Sequence, residues 1–225
     1  MNRFRTVWLA SLLTATIAVP AFAARAKAKP HYAALGSART VSYSAEGDPA
    51  GARPGETKLK VRPLVVNGKV VNWTTGEVHE VTPYIFTVQS ALRINDALPT
   101  DKHEHWVWQR GPWLLVDKHG KVKPLRLPDY DVSVSDVVWF RDYAAYCGLS
   151  ARGKSLYAVV ARTSLRRAVV SKRLEKWDPA EHPSPACAAA VWQRDPLAVS
   201  FAPTGGSAVS FDLAGSSSAP ADSGQ

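Results

Sequence analysis

The chain has 225 residues, of which 46% are apolar, and its 28 Lys and Arg outnumber its 19 Asp and Glu to give a net charge of +9. This apolar content is too high for a wholly disordered chain, and 14 Gly without a Gly-X-Y repeat exclude a collagen-like protein. Two Cys in this length are too few for a small disulfide-rich scaffold, so the composition favours one globular domain.

The N-terminus is predicted to be a secretory signal peptide over residues 1–23. Two Arg precede an apolar run at 7–19, and an A-x-A cleavage motif ends at Ala23. The run is shorter than the roughly 20 apolar residues that span a membrane. The sequence therefore predicts cleavage near Ala23, a secreted or periplasmic location, and no transmembrane segment in the mature chain.

The mature chain divides by composition into three segments. Residues 24–57 combine basic residues with Gly, Ser and Pro and have few large apolar side chains, so we expect a flexible basic arm with at most a short strand at 41–43. Residues 215–225 contain only Gly, Ser, Ala, Pro, Asp and Gln, which predicts a disordered tail. The folded domain is expected at 58–214.

Strand signals dominate this domain, and turn residues separate them at short intervals. Asn67-Gly68 is the strongest hairpin signal, because both residues tolerate the positive φ of a type I′ turn. Helical periodicity is not convincing in any segment. The pattern predicts an all-β antiparallel meander that forms a small sandwich or open barrel. Its strands are expected at 58–66, 69–73, 77–81, 84–90, 113–116, 121–127, 137–147, 155–163, 167–174, 198–202 and 208–213.

Two stretches carry a resemblance to known families. The runs at 111–117, 137–139 and 155–160 resemble a blade of secreted bacterial β-propellers of the periplasmic Tol type, which implies propeller-blade-like sheets as the alternative fold. A closed propeller needs at least four blades of about 40 residues, which 58–214 could barely hold, so the sandwich or open barrel is favoured. The run WFRDYAAYCG at 139–148 is similar to an uncharacterised family of secreted bacterial proteins and implies no activity.

Cys147 and Cys187 are the only cysteines of the chain. An even number of cysteines in an oxidising compartment favours a disulfide, with two free buried thiols as the alternative. The bond would close a loop of about 40 residues and stabilise the fold by about 4 kcal/mol through loop-closure entropy. Neither cysteine lies in a C-x-x-C motif, so no redox role is expected.

Trp106 and Trp108 are two residues apart, so on a strand they would share one face. An exposed aromatic row can stack on sugar rings or on a peptide, and this makes both Trp candidate ligand-binding residues. The favoured alternative is that the indoles fill the core, because each buries a large apolar area.

A basic block gives a second candidate binding surface, since residues 141–176 carry a net charge of +7. On a hairpin, these side chains would form a positive stripe for an anionic envelope polymer, a lipid headgroup or another envelope protein, rather than for nucleic acid in vivo. A solvated basic edge strand is the favoured alternative. The candidate ligand-binding residues are Arg152, Lys154, Arg162, Arg166, Arg167, Lys172 and Arg173.

Recognisable catalytic motifs are absent from the sequence, which has no G-x-S-x-G elbow, H-E-x-x-H, P-loop or Rossmann glycine pattern. His103 and His105 could share Zn²⁺ only with a further ligand such as His79 or His119, so no metal or cofactor is predicted. The sequence favours a non-catalytic envelope or interaction module. The alternative is a hydrolase acting on an envelope glycan or peptide through Asp142 or the pair His103 and His105.

Overall fold

The computed structural model describes the ranges 32–44, 57–132, 134–165, 167–178 and 186–213. These ranges contain fourteen strands and no helix, and every strand pairing within a sheet is antiparallel. The all-β antiparallel prediction is confirmed, and the sheets are not closed into a barrel. The predicted signal peptide and the predicted tail lie outside the described residues.

The strands fall into three sheets, of seven, four and three strands. The first contains β1 (Ala33–Leu35), β2 (Arg39–Ser42), β3 (Lys58–Val66), β4 (Lys69–Thr82), β5 (Ile85–Asn95), β6 (Trp106–Asp117) and β7 (Lys121–Pro124). The second contains β8 (Val138–Phe140), β9 (Tyr143–Leu149), β10 (Ser155–Arg162) and β11 (Ala168–Lys176). The third contains β12 (Val191–Arg194), β13 (Leu197–Phe201) and β14 (Val209–Asp212).

The seven-stranded sheet has the order β1-β3-β4-β5-β6-β7, and β2 also pairs with β3. The Asn67-Gly68 hairpin turn is confirmed, with φ of 53° and 79° at its two residues. The residue after β2, Tyr43, forms a bridge to Trp108 of β6. This bridge indicates that the sheet curves, since β2 also pairs with β3. One hydrophobic cluster, which includes Val61 and Trp108, therefore lies between β2–β3 and β5–β6.

The structure corrects one expectation about the predicted arm. β1 and β2 lie within residues 24–57, and both pair with β3, through Ala33 opposite Val66 and Arg39 opposite Val61. Backbone pairing satisfies the polar groups of these short strands, and burial of Ala33 and Tyr43 supplies the apolar contact that the composition did not indicate.

The four-stranded and three-stranded sheets bury a common cluster of side chains. Leu156 and Val160 of β10 pack in it with Val199 and Phe201 of β13. The predicted disulfide is confirmed and joins β9 to the segment before β12, with the Cα atoms of its cysteines 6.3 Å apart. The bond therefore links the two halves of this core.

Gly148 lies next to the disulfide, where another backbone segment approaches closely. A Cβ added at this position would lie 2.5 Å from the carbonyl oxygen of Asp129, which accepts a hydrogen bond from the N–H of Leu149 at 2.9 Å. Because that contact is with backbone, Gly148→Ala should lower the free energy of unfolding by about 1–3 kcal/mol. Urea denaturation measures this change, and an unaltered midpoint would contradict the close approach.

Candidate functional site

An open cleft of about 430 Å³ lies beside β2 and β6. We call it the Arg–Trp cleft, because two guanidinium groups and two indoles line it. Its lining residues are Arg39, Thr40, Val41, Ser42, Arg93, Trp106 and Trp108.

Strand register brings the chemistry-bearing side chains of this cleft together. Trp106 and Trp108 lie on the same face of β6, as the sequence predicts, and Arg93 of β5 is directly opposite Trp108. Arg39 approaches from the other side, because β2 runs beside β6 and the N–H of Ser44 donates to the carbonyl of Trp108 at 3.1 Å. The sheet curvature thus completes the cleft.

Both guanidinium groups stack on indole rings. The Cζ of Arg93 lies 4.7 Å from the ring centroid of Trp106, and the Cζ of Arg39 lies 4.0 Å from Trp73 and 5.4 Å from Trp108. Stacking uses the flat face of a guanidinium and leaves the N–H donors at its edge available. Neither Arg forms an ion pair with a carboxylate among the described residues. The cleft therefore presents oriented donors for an anion.

The two Trp of the predicted row have different environments. Trp106 is 43% exposed, and its Nε1 donates to the Glu104 carboxylate at 2.7 Å, which fixes the orientation of the ring. Trp108 is only 7% exposed and packs edge to face on Trp73 in the hydrophobic cluster. The ring of Trp106 is thus accessible to a ligand, whereas the ring of Trp108 packs mainly in the core.

The predicted basic stripe is divided between two faces and two ends of a hairpin. Arg152 and Lys154 are exposed in the turn between β9 and β10, and Arg167 is exposed before β11. On the edge strand β11, Lys172 is opposite Ala158 while the next residue, Arg173, is opposite its neighbour Tyr157, so the two cations point to opposite faces. These side chains form a basic edge rather than one binding face, and Arg166 lies outside the described residues.

Arg162, another member of the basic block, forms an ion pair with Asp142. Its Nε and Nη2 lie 2.8 and 2.7 Å from Oδ2 of Asp142, and its Cζ lies 5.0 Å from the ring centroid of Tyr143. The hydrogen bond that Arg162 donates to Asp142 raises the pKa of Arg162 above its usual value. The same contact occupies the carboxylate that the sequence offered as a candidate hydrolase group.

Three of the four histidines of the candidate metal cluster have separate partners. Nδ1 of His105 lies 2.5 Å from Oδ1 of Asp96, whereas His119 stacks on Tyr84 and His79 contacts the turn after β8. Across the described ranges, no group of three or more His, Cys, Asp or Glu side chains is arranged to hold a metal ion.

A second cleft, of about 530 Å³, was not predicted from the sequence. We call it the three-sheet cleft, because β4, β8 with its following turn, and β12–β13 all contribute to its wall. Its lining residues are His79, Glu80, Trp139, Phe140, Arg141, Arg194 and Leu197.

Arg141 has an unusual backbone conformation in this cleft. Phe140 and Tyr143 are paired, so residues 141–142 form a two-residue hairpin turn, and Arg141 has a φ of 52°. A turn with positive φ at its first position favours Gly there, and an L-residue in the left-handed region costs about 1–2 kcal/mol. Nε2 of His79 lies 2.6 Å from the carbonyl oxygen of Arg141, and since a carbonyl only accepts, His79 donates this bond.

The part of the chain that the structure describes contains no helix long and apolar enough to cross a membrane. Comparison of the chain with models of known protein families, with curated proteins and with solved structures gave no match. Inference about function therefore rests on the geometry of the two clefts.

Proposed function

We propose that the protein is a secreted or periplasmic, non-catalytic envelope module that binds an anionic polymer in the Arg–Trp cleft. The observation that carries this proposal is the stacking of Arg39 and Arg93 on indoles beside the exposed ring of Trp106. The signal peptide that the sequence predicts at 1–23 and the disulfide support the proposed location.

A carboxylated polysaccharide fits the chemistry of the cleft. The guanidinium edges of Arg39 and Arg93 can donate paired hydrogen bonds to carboxylates, and the apolar face of a sugar ring can pack on Trp106. Glu104 accepts a hydrogen bond from the indole of Trp106, and within the described ranges neither it nor another carboxylate forms an ion pair with Arg39 or Arg93. An open cleft also allows a chain to pass through, whereas a closed cavity would admit only its end.

The basic edge supports the same partner in a different way. Lys172 and Arg173 are exposed on opposite faces of β11, so they cannot both contact the same side of a ligand. They do add to the positive potential around the domain. Such a field raises the rate of association with a polyanion. We therefore assign steering to the basic hairpin and binding to the Arg–Trp cleft.

The hydrolase alternative gains no support from the positions of its candidate groups. Asp142 is held by Arg162, and His105 is held by Asp96. These two pairs are separate, and neither places a nucleophilic side chain beside a general base.

Titration with polygalacturonate by isothermal calorimetry tests the proposal. Trp106→Ala and Arg93→Gln should each weaken binding by at least about tenfold, since each removes a stacking or charge-assisted contact. Arg126→Gln is the matched control, because this exposed side chain carries the same charge outside the cleft. Affinity of the wild-type protein should also fall as salt increases.

Two results would contradict the proposal. One is binding of polygalacturonate that does not respond to ionic strength. The other is an equal, small loss of affinity for Arg93→Gln and Arg126→Gln, which would indicate diffuse charge attraction without a site.

A further inference from the structure

The three-sheet cleft contains two guanidinium groups that converge from different sheets. The Cζ atoms of Arg141 and Arg194 lie 5.4 and 5.9 Å from the ring centroid of Phe140, so one aromatic ring lies within reach of both cations. Arg141 comes from the turn after β8, and Arg194 comes from β12. Both side chains are exposed and available to a ligand.

The cleft carries positive charge that the described residues do not compensate. Glu80, the carboxylate in the lining of the cleft, accepts a hydrogen bond from the ammonium group of Lys118 at 3.1 Å. Neither Arg141 nor Arg194 forms an ion pair within the described ranges. Two unpaired guanidinium groups facing one space favour an oxyanion as the occupant.

The walls and the size of the cleft restrict the ligand further. A volume of about 530 Å³ is in the range of small-molecule pockets. Trp139 and Leu197 add apolar surface, and His79 stacks on Trp139 with the ring centroids 5.4 Å apart. The cleft therefore suits a molecule with an anionic group and a compact ring or apolar body.

Arg141 occupies a position where a glycine would relax the backbone, which is difficult to explain by folding alone. Its carbonyl is held by His79, so the turn itself is anchored through a backbone atom that any residue provides. The side chain of Arg141 adds only its guanidinium and its contact with Phe140. A functional use of that guanidinium accounts for the unfavourable conformation.

We propose that the three-sheet cleft binds a small organic oxyanion, a carboxylate or a phosphate ester on a ring or short apolar body, through the guanidinium groups of Arg141 and Arg194. This site is separate from the Arg–Trp cleft, shares no residue with it, and stands whether or not the polymer binds there.

Arg141→Gly gives the sharpest test, because glycine is favoured at this φ and should leave the turn intact. The thermal midpoint of the variant should equal or exceed that of the wild-type protein, while ligand binding is lost. Benzoate and phenyl phosphate are the probes, phenol is the uncharged control, and binding is followed by calorimetry. Arg194→Gln, on a different sheet, should weaken binding by at least about tenfold without depending on the turn.

The controls separate this cleft from other basic surfaces. Arg126→Gln, which removes an exposed cation outside both clefts, should bind the probes as the wild-type protein does. Binding of benzoate alone, of phenyl phosphate alone or of both supports the proposal and assigns the anionic group. Absence of saturable binding of either anion, or wild-type affinity in Arg141→Gly, would overturn it.

Discussion

Trp108→Ala will lower the free energy of unfolding by about 3–5 kcal/mol, whereas Trp106→Ala will lower it by less than about 1 kcal/mol. The two indoles are two residues apart on the same face of one strand, yet Trp108 is 7% exposed and Trp106 is 43% exposed. Removing Trp108 leaves a cavity among Tyr43, Leu59 and Val61. It also removes one of the two indole rings that the guanidinium of Arg39 contacts. Urea denaturation followed by far-ultraviolet circular dichroism measures both changes.

Trp73→Ala is a useful companion variant, because Trp73 packs on Trp108 with the ring centroids 5.6 Å apart. The double variant should lose less stability than the sum of the two single losses, since the contact between the rings is counted twice in that sum. Equal losses for Trp106→Ala and Trp108→Ala would show that β2 does not cover Trp108 in solution.

Removal of the disulfide by Cys147→Ala with Cys187→Ala will lower the free energy of unfolding by about 4 kcal/mol and the melting temperature by about 8–16 °C. The bond spans 40 residues of sequence and joins β9 to the segment before β12, so its loss frees a long loop in the unfolded chain. Both cysteines are buried in the cluster that the two smaller sheets share.

Thermal denaturation with and without a reductant provides the control. Reductant should lower the melting temperature of the wild-type protein towards that of the double variant and should leave the variant unchanged. A wild-type melting temperature that does not respond to reductant under unfolding conditions would contradict the contribution assigned to this bond.

The parts of the fold that were predictable depend on local sequence. Asn67-Gly68 determines its turn through the φ angles that the two residues tolerate, and apolar, β-branched runs bounded by turn residues identify β3 and β10. The cysteine pair was predictable because the chain contains only two. In contrast, β1 and β2 are three and four residues long, and their pairing with β3 depends on tertiary contact that such short segments do not reveal.

The candidate sites were less predictable, for a physical reason. Alternation along β6 places Trp106 and Trp108 on one face but cannot show that β2 covers only one of them. The three-sheet cleft combines His79, Arg141 and Arg194, whose separation along the chain leaves no local motif. The sequence predicts one strand over 137–147, whereas residues 141–142 form the turn that presents Arg141.

In the proposed anion-binding function, the position of Arg39 on β2 couples ligand binding to the local folding of this strand. β2 has four residues, pairs with β3, and carries one of the two cleft arginines. An anion that holds Arg39 stabilises the docked form of this strand by mass action, and detachment of the strand removes the anion-binding group. A bound anion should therefore slow amide hydrogen exchange at residues 39–42.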